Sequence, residues 1–261
     1  MINQNKLLAK IAVFDSGLGS LSIIKEIQKN MKADIVYFAD QKNYPYGNKS
    51  QAQIASIIKK TINLLEKKFT PDIIVVASNT PSLMLNLQTG KIVDVKPPLK
   101  LAQKQSKSKK IGILATNASV NSKGLANYVT ENNIPKSYEI FKIDGSNLVD
   151  LVESGKFLNN EKYCKKIIKK SLDDYIITEK IDTITLSSTH LLFLKKILKK
   201  EYPKVEFVDP GSLVAKKIFH KIKNKQSKRN SLKIFTSGNI INFKNKLNKI
   251  GIKNKINYLS T

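Results

Sequence analysis

The chain has 261 residues, with 46 Lys+Arg against 20 Asp+Glu and a formal net charge of +26. At 41% hydrophobic residues it is too apolar for a disordered polycation, and it is long enough for one or two domains with a sizeable core. A single cysteine excludes a disulfide framework or a cysteine-based zinc site within the chain, and no run of about 18 apolar residues offers a membrane span.

The opening, MINQNKLLAKIAVFDSG, runs into an apolar strand with no signal-peptide pattern, so a cytoplasmic protein is expected. Strand-length apolar runs then alternate with helical patterns, which points to α/β with largely parallel sheets. Strands are expected at 11–14 (IAVF), 35–38 (IVYF), 73–77 (IIVVA), 111–115 (IGILA), 138–143, 183–186 (TITL), 205–208 and 232–235 (LKIF). Amphipathic helices are expected at 20–30, 50–67, 122–131, 160–179 and 191–201. The segment 95–110, with Pro97-Pro98 and the run KQSKSKK, reads as an irregular connection or a lysine-rich helix.

After that segment the pattern restarts. IAVFDSGLGS is echoed by IGILATNASV, and IIVVASNT by TITLSSTH, each an apolar strand running into small polar residues. Two similar α/β halves facing each other are therefore expected, divided as 1–97 plus 212–261 and 98–211.

The charge does not name a function. Arg229 is the only arginine, so 46 − 1 = 45 basic residues are lysines, which act as point charges and not as bidentate readers of bases. Residues 191–261 carry 18 Lys+Arg and 3 acids, a local +15, with no aromatic nucleic-acid motif or zinc finger alongside. These lysines read mainly as solvated surface, and a nucleic-acid partner is not expected.

In open α/β sheets ligands bind beyond the carboxyl ends of the strands. The residues there are Asp15, Ser16, Asp40, Ser78-Asn79-Thr80, Thr116 and Ser188-Thr189-His190. Gly17 and Gly19 lack the third glycine of a dinucleotide fingerprint and read as a tight turn feeding a helix. Asp15, Ser78 and Ser188 could each serve as simple caps. Their joint placement, a serine in each half with Asp15 in one and His190 in the other, suggests a two-sided cleft.

The blocks FDSGLGSLS, YFADQKNYPYGNKS, ASNT, GILATNASVNS, NLVDLVESG, SSTHLLFL and VDPGSLVAKKI resemble, almost end to end, the cofactor-independent aspartate/glutamate racemases, and most of all the glutamate racemase family. The resemblance implies two Rossmann-like three-layer domains related by pseudo-two-fold symmetry, with a small acidic amino acid between them. It also implies Cα proton transfer without a cofactor or metal, and a homodimer as the family-level assembly. Members of the family use one cysteine on each face of the substrate; at those positions this chain has Ser78 and Ser188. Its one cysteine, Cys164, falls in a lysine-rich helical stretch and reads as structural. A hydroxyl is a far weaker acid than a thiol, so two-thiol racemisation is closed to it. Pro81, Ser187, Leu191 and Leu192 also depart from the family pattern beside the serines.

Carried over residue by residue, the resemblance places Asp15 beside Ser78 and His190 beside Ser188 as the reacting groups. It assigns Ser16, Tyr46, Gly47, Asn79, Thr80, Thr116, Ser119 and Thr189 to substrate binding, and Glu153 to a supporting position. Four readings follow: proton transfer moved from thiols to Asp15 and His190; a serine reaction with His190 activating Ser188; a binding protein without turnover; or a polyanion-binding protein. The serine reaction takes Ser188 and His190 as residues i and i+2 of an extended strand, on one face.

Overall fold

A computed structural model describes residues 9–85, 87, 90–222, 225 and 227–261. The start of the chain, read above as lacking a leader, lies outside the described residues through position 8.

The first lobe begins with β1 (Lys10–Asp15), α1 (Ser20–Asn30), β2 (Asp34–Ala39), α2 (Gln51–Phe69), β3 (Ile73–Val76), α3 (Asn79–Met84) and β4 (Ile92–Asp94). Next come α4 (Leu99–Gln105), β5 (Lys110–Ala115), α5 (Asn117–Val120), α6 (Lys123–Glu131), β6 (Glu139–Asp144) and α7 (Ser146–Glu153). The chain continues through α8 (Glu161–Asp173), β7 (Thr183–Leu186), α9 (Lys195–Glu201), β8 (Glu206–Val208) and α10 (Gly211–Ile222). It closes with β9 (Ser231–Thr236), α11 (Ile240–Lys249) and β10 (Ile256–Tyr258). The strands form a six-stranded sheet of order β10-β9-β2-β1-β3-β4 and a four-stranded sheet of order β6-β5-β7-β8. Every pairing is parallel.

Parallel sheets need both faces covered, and the strand sequences supply apolar side chains to both. In β1, Ile11 and Val13 pack with Leu21, Ile24 and Ile27 of α1, Ile218 of α10 and Phe243 of α11. The alternate residues Ala12 and Phe14 pack with Ile54, Ile58 and Leu65 of α2. In the second lobe, Leu114 and Ile184 meet Leu148 of α7, Cys164 and Ile168 of α8 and Leu198 of α9. On the other face Ile113 meets Leu99 and Leu125. Each fully buried Val, Leu, Ile or Phe side chain among these contributes about 1.5–3 kcal/mol relative to exposure.

The two sheets repeat one arrangement. Ile11 pairs with Ile35 and Ile73, as Ile111 pairs with Ile140 and Thr183. Beyond the strands the backbone bonds match as well. Ala77 N–H donates to the Phe14 carbonyl at 2.9 Å and Ser187 N–H to the Leu114 carbonyl at 2.8 Å. Asp40 N–H donates to the Asp15 carbonyl at 2.8 Å and Gly145 N–H to the Ala115 carbonyl at 2.7 Å. The α/β, two-lobed, pseudo-symmetric architecture expected from the sequence is the one observed.

Several elements differ from expectation. The helix expected at 191–201 begins at Lys195, because Thr189–Leu194 winds as a 3-10 turn. The segment 95–110 contains α4, which starts directly after Pro97-Pro98 with Leu99 and Ala102 buried. β4, α11 and β10 were not read from the sequence; both strands have three residues, too few for a period to emerge. The expected helix 160–179 is α8 followed by a π-helical turn, Asp174–Thr178. No described helix is long and apolar enough to cross a membrane.

Candidate functional site

The carboxyl ends of β1, β3, β5 and β7 converge between the lobes on a cavity of about 50 Å³. Asp15, Ser16, Tyr46, Gly47, Ser78, Asn79, Thr80, Thr116, Ser119, Ser188, Thr189 and His190 all line it. Of the strand-end and family positions singled out from sequence, Asp40 and Glu153 lie outside the lining: Asp40 accepts from Tyr46 beneath the loop, and Glu153 sits behind His190. The volume is well below the ~300–1,000 Å³ of a typical small-molecule site.

Ser78 and Ser188 occupy matching positions with nearly the same backbone, φ −140°, ψ 130° and φ −140°, ψ 133°. Each ends an extended run and begins a helical turn, so its side chain leaves the sheet at the lobe boundary. Asp15, 2% exposed, closes β1. Its Oδ1 accepts from Ser16 N–H at 2.6 Å and its Oδ2 from Thr189 Oγ1 at 3.4 Å, across the lobes. Burial pushes its carboxyl up to about 6, against the opposing effects of His190, the Ser16 amide and the Ser78 hydroxyl.

On the opposite side His190 Nε2 and Glu153 Oε1 are 2.8 Å apart. Glu153 Oε1 also accepts from Leu18 N–H at 2.7 Å, and Oε2 accepts from Lys246 Nζ at 2.8 Å. Burial alone would raise the Glu153 pKa, but the hydrogen bond and charge of His190, with Lys246 and the Leu18 amide, bring it down to about 2. An ionised carboxylate only accepts, so Nε2 carries its proton and Nδ1 is the nitrogen free to gain or lose one. Burial disfavours the imidazolium, yet the Glu153 hydrogen bond and charge, with Asp15, outweigh it and raise the pKa of His190.

The glycines of FDSGLGS serve this seam. A Cβ on Gly17 would stand 2.3 Å from Glu153 Oε1, and one on Gly19 2.2 Å from Thr189 Oγ1 and 2.7 Å from His190 Nδ1. The sequence reading of a tight turn is therefore incomplete: the glycines let the first lobe's backbone approach the second lobe's polar groups. Hydroxyls bridge the lobes elsewhere. Thr116 Oγ1 donates to Ser119 Oγ at 3.0 Å, which lies 3.2 Å from Thr80 Oγ1. Asn79 Nδ2 donates to the Val95 carbonyl at 3.0 Å, while its buried Oδ1 has no partner. Tyr46 donates to Asp40 Oδ2 at 3.0 Å, and Asn43 and Ser237 also donate to Asp40, which fixes the loop over the cavity.

Thr189–Leu194 is a 3-10 turn, so Ser188 and His190 are not residues of one extended strand, and His190 spends Nε2 on Glu153. Among the described residues no hydrogen bond joins Ser188 Oγ to His190. Cys164 is buried on α8 in the second lobe's core, outside the cavity lining. Among the described residues no group of three or more His, Cys, Asp or Glu is arranged to hold a metal. Sequence reasoning missed Tyr44, Pro45, Val149 and Lys246. Tyr44, Pro45 and Val149 lie inside the quoted blocks and were within reach, whereas Lys246 is one lysine among many.

No family model matches the chain. The glutamate racemase of Sulfurihydrogenibium sp. (strain YO3AOP1) is 36% identical over 206 residues, covering 76% of this chain and 77% of that protein. The fold is shared with a glutamate racemase isoform of Bacillus anthracis, at TM-score 0.81 and 24% identity over 97% of both chains. It is shared too with the Francisella tularensis glutamate racemase solved with D-glutamate, at TM-score 0.79 and 22% identity over 97% of both chains. With a relative this similar over three quarters of its length, the chain belongs to the glutamate racemase family.

Proposed function

We propose that the cleft between segments 1–97 plus 212–261 and 98–211 binds an acidic amino acid and exchanges its Cα proton without a cofactor or thiols. Ser78 and Ser188 stand in the places of the family's two cysteines. The observation that carries this reading is the pairing of Asp15 and His190 on a cavity whose two serines have the same backbone geometry.

At neutral pH Asp15, its carboxyl pushed up to about 6, is largely a carboxylate and can accept a proton, while the Glu153 carboxylate favours the imidazolium of His190, the form that can donate one. Asp15, at about 6, lies close to neutral pH, where general acid–base groups are most effective. In one direction the Cα–H bond breaks as Asp15 takes the proton, and its electron pair delocalises into the substrate carboxylate. His190 then returns a proton from Nδ1 to the other face. The Ser78 and Ser188 hydroxyls donate hydrogen bonds to the developing charge, and Asn79 Oδ1, buried without a partner, accepts from the substrate ammonium. No redox step is involved.

Incubation with D- and L-glutamate and aspartate in D₂O, followed by proton NMR, tests this. Loss of the Cα proton signal is expected for one acidic amino acid. Binding by calorimetry with no loss of that signal would replace the proposal with a ligand-binding protein. That second reading is favoured by the chemistry of the serines, whose hydroxyls cannot become the anionic bases that thiols supply.

A further inference from the structure

Glu153 is held from both lobes at once. It projects from α7 of the second lobe and bonds His190 of the same lobe. Its other two donors, Leu18 N–H ahead of α1 and Lys246 Nζ on α11, belong to the first lobe. α11 is fixed there by Phe243 and Leu247, both buried in the first lobe's core. It also abuts the second lobe at Gly155, where an added Cβ would stand 3.4 Å from Lys249. Lys246 is 38% exposed, so it reaches the seam from the solvent side and loses little by leaving it. The cavity the lobes enclose is small, about 50 Å³.

We propose that Lys246 is a positioning residue acting on His190 through Glu153: it engages the carboxylate only when the lobes meet, and so ties lobe closure to the proton held by His190. With the lobes apart, Glu153 keeps only His190, and the imidazolium is stabilised. On closure Lys246 and the Leu18 amide draw part of the carboxylate's charge, and the imidazolium releases its proton more readily. The charged groups acting on the imidazole are Glu153 from α7, Asp15 from β1 and Lys246 from α11. Ser22 of α1 bonds the Thr189 carbonyl at 3.0 Å and adds no charge.

The chain has two histidines, His190 and the exposed His220 of α10, so imidazole NMR of the whole protein reads the effect with an internal control. Lys246→Met should raise the titration midpoint of His190 by about 0.5–1 pH and leave His220 in place. Lys246→Arg should restore the original midpoint. An unchanged or lowered His190 midpoint in Lys246→Met, repeated in Lys246→Gln in case the first variant folds poorly, would overturn the proposal. The inference rests on the proposed function only for what His190 does to substrate. A shifted His190 without Cα exchange would therefore sink that function alone, and exchange with an unshifted His190 would sink this inference alone.

Discussion

Ser78 and Ser188 are related by the pseudo-symmetry, yet the charged groups beside them are not. Asp15 closes β1, whereas the corresponding end of β5 is Ala115; His190 lies two residues past Ser188, where the first lobe has Thr80. The two lobes thus repeat a scaffold and place an acid on one side and a base on the other from non-equivalent positions. Asp15 is buried with few stabilising partners, and His190 is buried against a carboxylate that is itself held three ways. The repeated scaffold supplies a cleft with two faces, and different residues at single strand ends give those faces different charge.

The largest effects should come from removing that difference. Asp15→Asn and His190→Gln are each expected to slow Cα exchange by about 10²–10⁴-fold, and to do so unequally for the two enantiomers. Rates from separate D- and L-substrates check this, and equal losses for both would break the assignment of one group to each face. Because the folded pKa of Asp15 is raised, its ionisation costs stability progressively from about pH 4 to pH 6 and fully above. Asp15→Asn should therefore be more stable than the parent at pH 7–8 in urea denaturation.

Placing thiols on both proposed faces, Ser78→Cys with Ser188→Cys, should raise exchange by about 10²-fold if these two side chains flank the substrate Cα as proposed. An unchanged rate would show that Ser78 and Ser188 do not flank a substrate Cα. Glu153→Gln breaks a buried pair and should cost about 3 kcal/mol near pH 6, read from denaturant midpoints. The sign follows from the two shifts. The lowered Glu153 contributes fully above its ordinary 4.5 and loses its contribution as pH falls through about 2. The raised His190 contributes fully below its ordinary 6.5 and loses its contribution as pH rises through its folded value.

Smaller effects probe the seam. Gly19→Ala, which drives a methyl group into Thr189 and His190, should cost about 2 kcal/mol and displace the His190 resonances. Asp40→Asn should cost about 1 kcal/mol, because the loop carrying Tyr46 and Gly47 keeps part of its hydrogen bonding.

Much of this molecule was legible in order along the chain. Apolar runs such as IAVF and IIVV have the length and composition of strands buried on both faces, and the rule that ligands sit beyond their carboxyl ends led to Asp15, Ser78, Ser188 and His190. Thr189–Leu194 misled because its apolar residues fit a helix as well as they fit the 3-10 turn that forms under contact with α1 and α7. The roles of Gly17, Gly19 and Lys246 depend on atoms more than a hundred residues away or in the other lobe, and no local pattern encodes such a contact.

The sequence by itself determined the two α/β halves, the family, and the absence of a cysteine from the strand ends, since these are written in local periodicity and residue identity. Only the tertiary structure decided the proton states. The pKa of Asp15 follows from its burial at the lobe boundary, and that of His190 from a carboxylate which a glycine-lined backbone and a distant lysine hold in place. Desolvation and Coulomb interaction depend on distances through space, and those exist only once the lobes meet.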